Sequence, residues 1–156
     1  MSKQILAYVI AIICVVFTSL IGGIFTSKSV KSPWYDCIKS DVTPPNYVFP
    51  IAWTILYILI AIALARSIKK RNQTILILFG MNLLFNIIWC YLYFGAKQIV
   101  WGMISLIILV IMTILLIFKL YLVKDYVSMS LLIPYLLWLL FASLLNFLSI
   151  KKSKSC

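Results

Sequence analysis

The chain has 156 residues, 65% of them hydrophobic and 11% charged, with a mean hydropathy of +1.14; soluble domains run at about 45–50% apolar and about 25% charged, so the solvent around this chain must itself be apolar. It has no His, and its only acids are Asp36, Asp41 and Asp125, which excludes Ser-His-Asp and Cys-His hydrolases, a carboxylate-pair glycosidase in the apolar part and any His-bearing metal site. The net charge of +11 fits basic residues that flank membrane spans and touch anionic head groups; no soluble basic domain is left over to grip nucleic acid.

A bilayer core about 30 Å thick calls for roughly 20 apolar residues in a helix. Five charge-free stretches meet that length: Ile5–Phe25, Tyr47–Ala65, Ile75–Phe94, Ile99–Phe118 and Val127–Ile150. They predict an all-α membrane protein, a bundle of five transmembrane helices forming one domain over residues 1–156. The first stretch is too long for a signal-peptide core and no A-x-A site follows it, so it reads as a span. Arg66, Lys69, Lys70 and Arg71 close the second span, Lys119 and Lys124 bracket the end of the fourth, and Lys151, Lys152 and Lys154 close the fifth. Tyr47, Tyr91, Tyr93, Trp101, Tyr121 and Tyr126 sit near span ends, where most should join an interfacial aromatic belt. The positive-inside rule is tied: Lys3, Arg66, Lys69, Lys70, Arg71, Lys119 and Lys124 face one side, and Lys28, Lys31, Lys39, Lys97, Lys151, Lys152 and Lys154 the other. Cys14, Cys37, Cys90 and Cys156 are scattered without a CxxC pair and give no readable disulfide framework.

Between the first two spans runs a long connection, Thr26–Asn46, where bundle loops usually take about 2–8 residues. Ser32-Pro33 reads as an N-cap followed by proline at the first helical position, and Thr43-Pro44-Pro45 as a stop. A short helix to about Lys39 fits either a lid over one mouth of the bundle or an interfacial helix anchored by Trp34 and Tyr35.

Polar side chains at mid-span need a partner or a cavity. Asn82, Asn86, Trp89 and Tyr93 share one face of the third span, Trp53 and Tyr57 stack on the second, and Pro134, Trp138 and Ala142 form a stripe on the fifth, with Asn146 one step beyond. Pro50 and Pro134 are expected to kink their helices and open a cavity. These residues make either an aromatic-walled pocket with a few amide groups, or interhelical packing in which the Asn residues act as glue.

The same residues carry a family resemblance. Trp34-Tyr35 followed by Thr43-Pro44-Pro45, the run Phe49-Pro50-Ile51-Ala52-Trp53-Thr54-Ile55-Leu56-Tyr57, the segment from Asn82 through Asn86 to Trp89, and Pro134-Tyr135 through Trp138, Phe141-Ala142 and Asn146 resemble, in order, the signatures of the translocator protein family, also called tryptophan-rich sensory proteins or peripheral-type benzodiazepine receptors. The resemblance implies a five-helix bundle, commonly a homodimer, with a pocket beneath the first loop. It implies a receptor or sensor of tetrapyrroles such as protoporphyrin IX and haem, and of benzodiazepine-type drugs. Two alternatives follow from it: a light-dependent protoporphyrin-degrading enzyme using Trp53 and Trp138, and a passive porphyrin or lipid transporter. It needs no resident cofactor or metal; the porphyrin or haem is the ligand. The ligand-binding positions it implies are Tyr35, Pro44, Trp53, Tyr57, Asn82, Asn86, Trp89, Trp138, Ala142 and Leu145, with propionates reaching toward Lys39 at the mouth. Two departures stand out: Lys39-Ser40-Asp41 replaces the usual Lys-Pro, and Phe147 replaces the tyrosine of the sterol motif. Without a presequence-like segment, the expected location is a prokaryotic cytoplasmic membrane, with lipids as partners and no nucleic acid.

Overall fold

Short polar side chains set most helix starts in the computed structural model, which describes residues 2–156. Ser2 caps α1 (Lys3–Ser29), Ser32 caps the short α2 (Pro33–Ile38), Asn72 caps α4 (Gln73–Cys90) and Asp125 caps α6 (Tyr126–Ser153), each accepting a backbone N–H from three residues on. α3 (Val48–Lys70) has no such cap, and α5 (Ile99–Leu122) begins after Gln98 without one. α4 continues without a break into a π-helical turn, Tyr91–Gly95. Among the described residues there is no strand, and five helices are long and apolar enough to cross a membrane. Each of the five contains one of the predicted stretches almost whole and extends past it by at most five residues, because helical backbone bonding continues where basic side chains can snorkel to the head groups.

Pairwise packing closes a ring in the order α1, α3, α6, α5, α4 and back to α1, while α3 and α4 touch less. Polarity is inverted relative to a soluble protein. Ile13, Phe17, Leu20, Ile24, Ile114 and Leu137 are exposed, whereas Asn82, Asn86, Ser105, Thr113, Asn146 and Ser149 are buried. Lipid tails solvate the outer Ile and Leu, and helix association rests on close packing and interhelical hydrogen bonds. Gly102 shows the closeness: a Cβ there would meet Tyr93 Cβ at 3.0 Å and its Cα at 3.3 Å.

The two ends differ. At one, Ile60, Leu64, Phe79, Leu116, Leu120 and Leu132 fill the core. Asp125 ties α6 to α3 there, pairing with Arg66 at 3.0 Å and Lys70 at 3.0 Å while accepting from Ser128 Oγ at 2.9 Å. Burial alone would raise the Asp125 carboxyl; the bonds from Lys70, Arg66 and Ser128 outweigh it and hold it well below the usual carboxylate range. At the other end the long connection folds across the bundle, and α2 packs on α6. A Cys37–Cys156 disulfide, 119 residues apart in sequence, joins α2 to the C-terminal tail, and Lys152 near the end of α6 pairs at 3.0 Å with Asp41 in the connection that follows α2. The cysteine spacing gave no hint of this bridge; it exists because an odd number of spans returns the C-terminus to the side of the first connection.

Pro50 departs from the expectation of a kink. Pro50 lies in the first turn of α3, where its missing N–H would have had no intrahelical partner, so it breaks no helical bond. Pro134 lies inside α6 and faces outward. The belt residues Tyr47, Tyr91, Trp101, Tyr121 and Tyr126 are exposed; Tyr93 is the exception, buried and bonded to Ser149 at 2.7 Å.

Candidate ligand cavity

Beneath α2, the ends of α1, α3, α4 and α6 diverge around a cavity of about 520 Å³, within the range of about 300–1,000 Å³ common for small-molecule sites. α3 contributes Trp53 and Tyr57, stacked with centroids 5.3 Å apart, one helical turn being the spacing that brings i and i+4 together. α4 contributes Trp89, 6.1 Å from Trp53, and α6 contributes Trp138, 6.4 Å from Trp53 with the planes at 85°. Phe49 and Phe141 flank Trp138 at 6.0 and 5.6 Å. The two half-buried indoles therefore make a corner, not a parallel clamp. A flat ligand can stack on one face while meeting the edge of the other. Ala142 and Leu145 complete the α6 wall, and Ala142 leaves the space that a larger side chain would fill.

Tyr35 forms part of the roof. Ser32 Oγ accepts its backbone N–H at 3.3 Å, which starts α2 at the angle that buries both Tyr35 and Ile38. Its phenol is raised above its ordinary value by burial first, then by Tyr93 and Asp36, so it stays a neutral O–H group at any working pH. The lid reading of the short helix is thus the one the packing favours.

Seven of the expected ligand positions line the cavity: Tyr35, Trp53, Tyr57, Trp89, Trp138, Ala142 and Leu145. Pro44, Asn82 and Asn86 do not. Pro44 lies in the connection away from the lining, and the two amides are 2% and 0% exposed behind the Trp53–Tyr57 wall. Their bonding capacity is used in a chain that runs deeper into the bundle. Tyr57 donates to Asn86 Oδ1 at 3.1 Å, Asn86 Nδ2 donates to the Tyr135 oxygen at 3.2 Å, and Tyr135 donates to Asn82 Oδ1 at 2.8 Å. Asn82 Nδ2 then donates to Thr113 Oγ1 at 2.8 Å, whose hydroxyl ends the chain on the Leu109 carbonyl at 2.8 Å. These amides hold α3, α4, α5 and α6 together at the cavity floor. Trp89 is held similarly, its Nε1 donating to Asn146 at 3.4 Å.

Sequence reasoning missed the contribution of α1. Ser19, Gly22, Gly23 and Thr26 line one wall, and a stripe of small residues at helical spacing was the available signal. Gly22 matters for approach: a Cβ there would meet Cys90 Sγ at 3.2 Å. The π-helical turn was also unforeseen. At its end the Phe94 carbonyl, beyond the last intrahelical donor, accepts from Ser29 Oγ at 2.5 Å, fixing the end of α1 beside the cavity. At the mouth, Lys39 does not reach the lining; it pairs with Asp36 at 2.7 Å, while Lys31 and Asn46 line the rim.

Comparison with known proteins agrees with this architecture. The model of the TspO/MBR family matches residues 10–150. A "Tryptophan-rich protein TspO" from Archaeoglobus fulgidus is 37% identical over 148 residues, covering 92% of this chain and 95% of the relative. A protein of the same name from Chlorobaculum tepidum is 33% identical over 152 residues, 94% of this chain and 96% of the relative. A "Tryptophan-rich sensory protein" from Cereibacter sphaeroides is 28% identical over 135 residues, 84% of this chain and 85% of the relative. With five membrane-length helices, an aromatic cavity under the first connection and a family match across nearly its whole length, the chain belongs to the TspO/MBR family of integral multi-pass membrane proteins.

Proposed function

We propose that the protein is a membrane receptor that senses flat, largely apolar ligands of the tetrapyrrole class, protoporphyrin IX or haem, and accepts benzodiazepine-type drugs in the same place. The observation that carries this reading is the cavity of about 520 Å³ with Trp53, Tyr57, Trp89 and Trp138 on its walls and Tyr35 above it. Aromatic faces and edges supply dispersion and quadrupole attraction to a macrocycle, and the indole N–H groups of Trp53 and Trp138 offer donors. The sensory name of the Cereibacter sphaeroides relative supports a signalling role over a catalytic one. The membrane it occupies is, in this reading, a prokaryotic cytoplasmic membrane. Titration of the detergent-solubilised protein with protoporphyrin IX should quench tryptophan fluorescence saturably. A Trp53→Phe, Trp138→Phe double variant that binds as tightly as the wild type would remove the site from this account.

A second reading, light-dependent porphyrin oxidation, is favoured by one feature. Trp53 contacts both Trp89 and Trp138 at 6.1 and 6.4 Å, so an excited ligand would meet a connected set of oxidisable rings. Porphyrin absorbance followed under a lamp and in darkness separates the two. Equal loss with wild type, with the double variant and with no protein leaves binding alone.

A further inference from the structure

Cations at the mouth are unequally engaged. Lys39 pairs with Asp36 and Lys152 with Asp41. Lys97 sits 5.5 Å from the Trp34 ring centroid and Lys151 sits 4.9 Å from that of Phe147. Lys31, in the turn between α1 and α2, is exposed, lines the cavity rim and has no ion-pair partner among the described residues. Lys28 and Lys154 also lack one, but neither lines the cavity. Around Lys31 the rim is polar, with Thr26, Ser27 and Asn46, while the floor is aromatic. No acidic side chain lines the cavity. The site is therefore amphipathic along one axis, with a cation waiting at the wet end.

We propose that Lys31 is the specificity-determining residue of the cavity and reads an anionic group, so the preferred ligand is an aromatic carboxylic acid whose flat body lies on the Trp53–Trp138 corner and whose carboxylate stays at the rim. The proposal rests on the receptor reading and adds the ligand's charge to it. An exposed ion pair contributes modestly and is screened by salt, which sets the expected effect at roughly fivefold in affinity.

The test compares protoporphyrin IX with its dimethyl ester, which keeps the macrocycle and removes both charges. Binding is followed by fluorescence quenching in neutral detergent at low ionic strength. The wild type should bind the diacid roughly fivefold tighter than the ester, and added salt should erase the difference. Lys31→Gln should lose the preference while holding the ester unchanged, and Lys28→Gln should keep it. Full preference in Lys31→Gln, or equal wild-type affinities for acid and ester, overturns the role of Lys31 while leaving the receptor reading intact. Binding of neither compound overturns both.

A different observation carries a second inference. The Cys37–Cys156 disulfide and the Lys152–Asp41 pair lie at the cavity end, and disulfides persist in oxidising compartments. We infer that this end faces the oxidising, extracytoplasmic side, so ligand enters from outside and the Arg66–Arg71 end lies in the cytoplasm. That resolves the tie in basic residues. Intact cells expressing the Cys14→Ser variant, with Cys90 buried, are treated with a membrane-impermeant maleimide. Labelling should require prior exposure to an impermeant reductant, and Cys37→Ser should expose Cys156 to label without it. If Cys37→Ser does not accumulate, the reductant-dependent labelling of Cys14→Ser decides. Reductant-dependent labelling only after permeabilisation overturns the assignment, and labelling of untreated intact cells overturns the disulfide on which it rests.

Discussion

Asn82 and Asn86 illustrate how a mid-membrane amide can be indispensable without touching a ligand. Each is fully enclosed, and each links two other side chains. Replacing Asn86 by Leu removes the acceptor of the Tyr57 hydroxyl and the donor to the Tyr135 oxygen, while Tyr135 keeps its own bond to Asn82. The expected loss is about 1–2 kcal/mol, given that interhelical bonds in bilayers contribute about 0.6–2 kcal/mol. Thermal unfolding in detergent measures it, and porphyrin affinity per folded molecule should change less than in Trp53→Phe. Ala142 gives the converse case. Ala142→Leu adds volume inside the cavity without removing a bond, so melting should hold to within about 1 kcal/mol while protoporphyrin affinity falls at least about tenfold. Gly102→Ala should destabilise by about 1–3 kcal/mol, because the new Cβ meets Tyr93 backbone as well as its side chain.

Between elements, the two ends of the bundle are fastened by different chemistry. At the closed end, the Asp125 carboxyl is held below its ordinary value of 3.8 by the outweighing bonds from Lys70, Arg66 and Ser128. A depressed folded-state value means the clamp contributes fully above about pH 4 and is lost as pH falls below it. Asp125→Asn should cost about 2 kcal/mol at neutral pH: Arg66 and Lys70 are partly exposed and can rehydrate, which puts the loss below the cost of breaking a fully buried pair. The difference from wild type should shrink as acid unfolding is followed below about pH 4. At the lidded end the bond is covalent. Reduction leaves the Lys152–Asp41 pair, whose Asp41 is almost wholly exposed and which holds little. Cys156→Ser should therefore speed protease cleavage in the Ser40–Asn46 segment, with bound porphyrin slowing it again.

At the scale of the whole molecule, a packed half and a hollow half share one ring of helices. The Asn82–Asn86–Tyr135 network marks the boundary between them. The packed half holds the geometry, and the hollow half, topped by α2, is free to admit a guest without loosening the ring. Ligand occupancy is expected to protect α2 and the ends of α1 and α3 from hydrogen exchange, with α5 unchanged, since α5 does not line the cavity.

Much of this was legible in the residues because the bilayer imposes so few solutions. Charge-free stretches of membrane length must be helices, since no other open segment can satisfy its backbone in lipid. The ordered Trp, Tyr, Asn and Pro motifs pointed to the family and to which spans meet. The chain alone could not say which mid-span polar groups face a void and which face each other. Asn82 and Trp89 share a helix face, yet one is locked into the ladder and the other borders the cavity. Nor could spacing reveal the wall from α1, the edge-to-face setting of Trp53 and Trp138, or a disulfide between residues 119 apart. Those depend on how the helices are arranged around the ring. Periodicity fixes the face a side chain takes on its own helix; only the packing of the other four decides what that face meets.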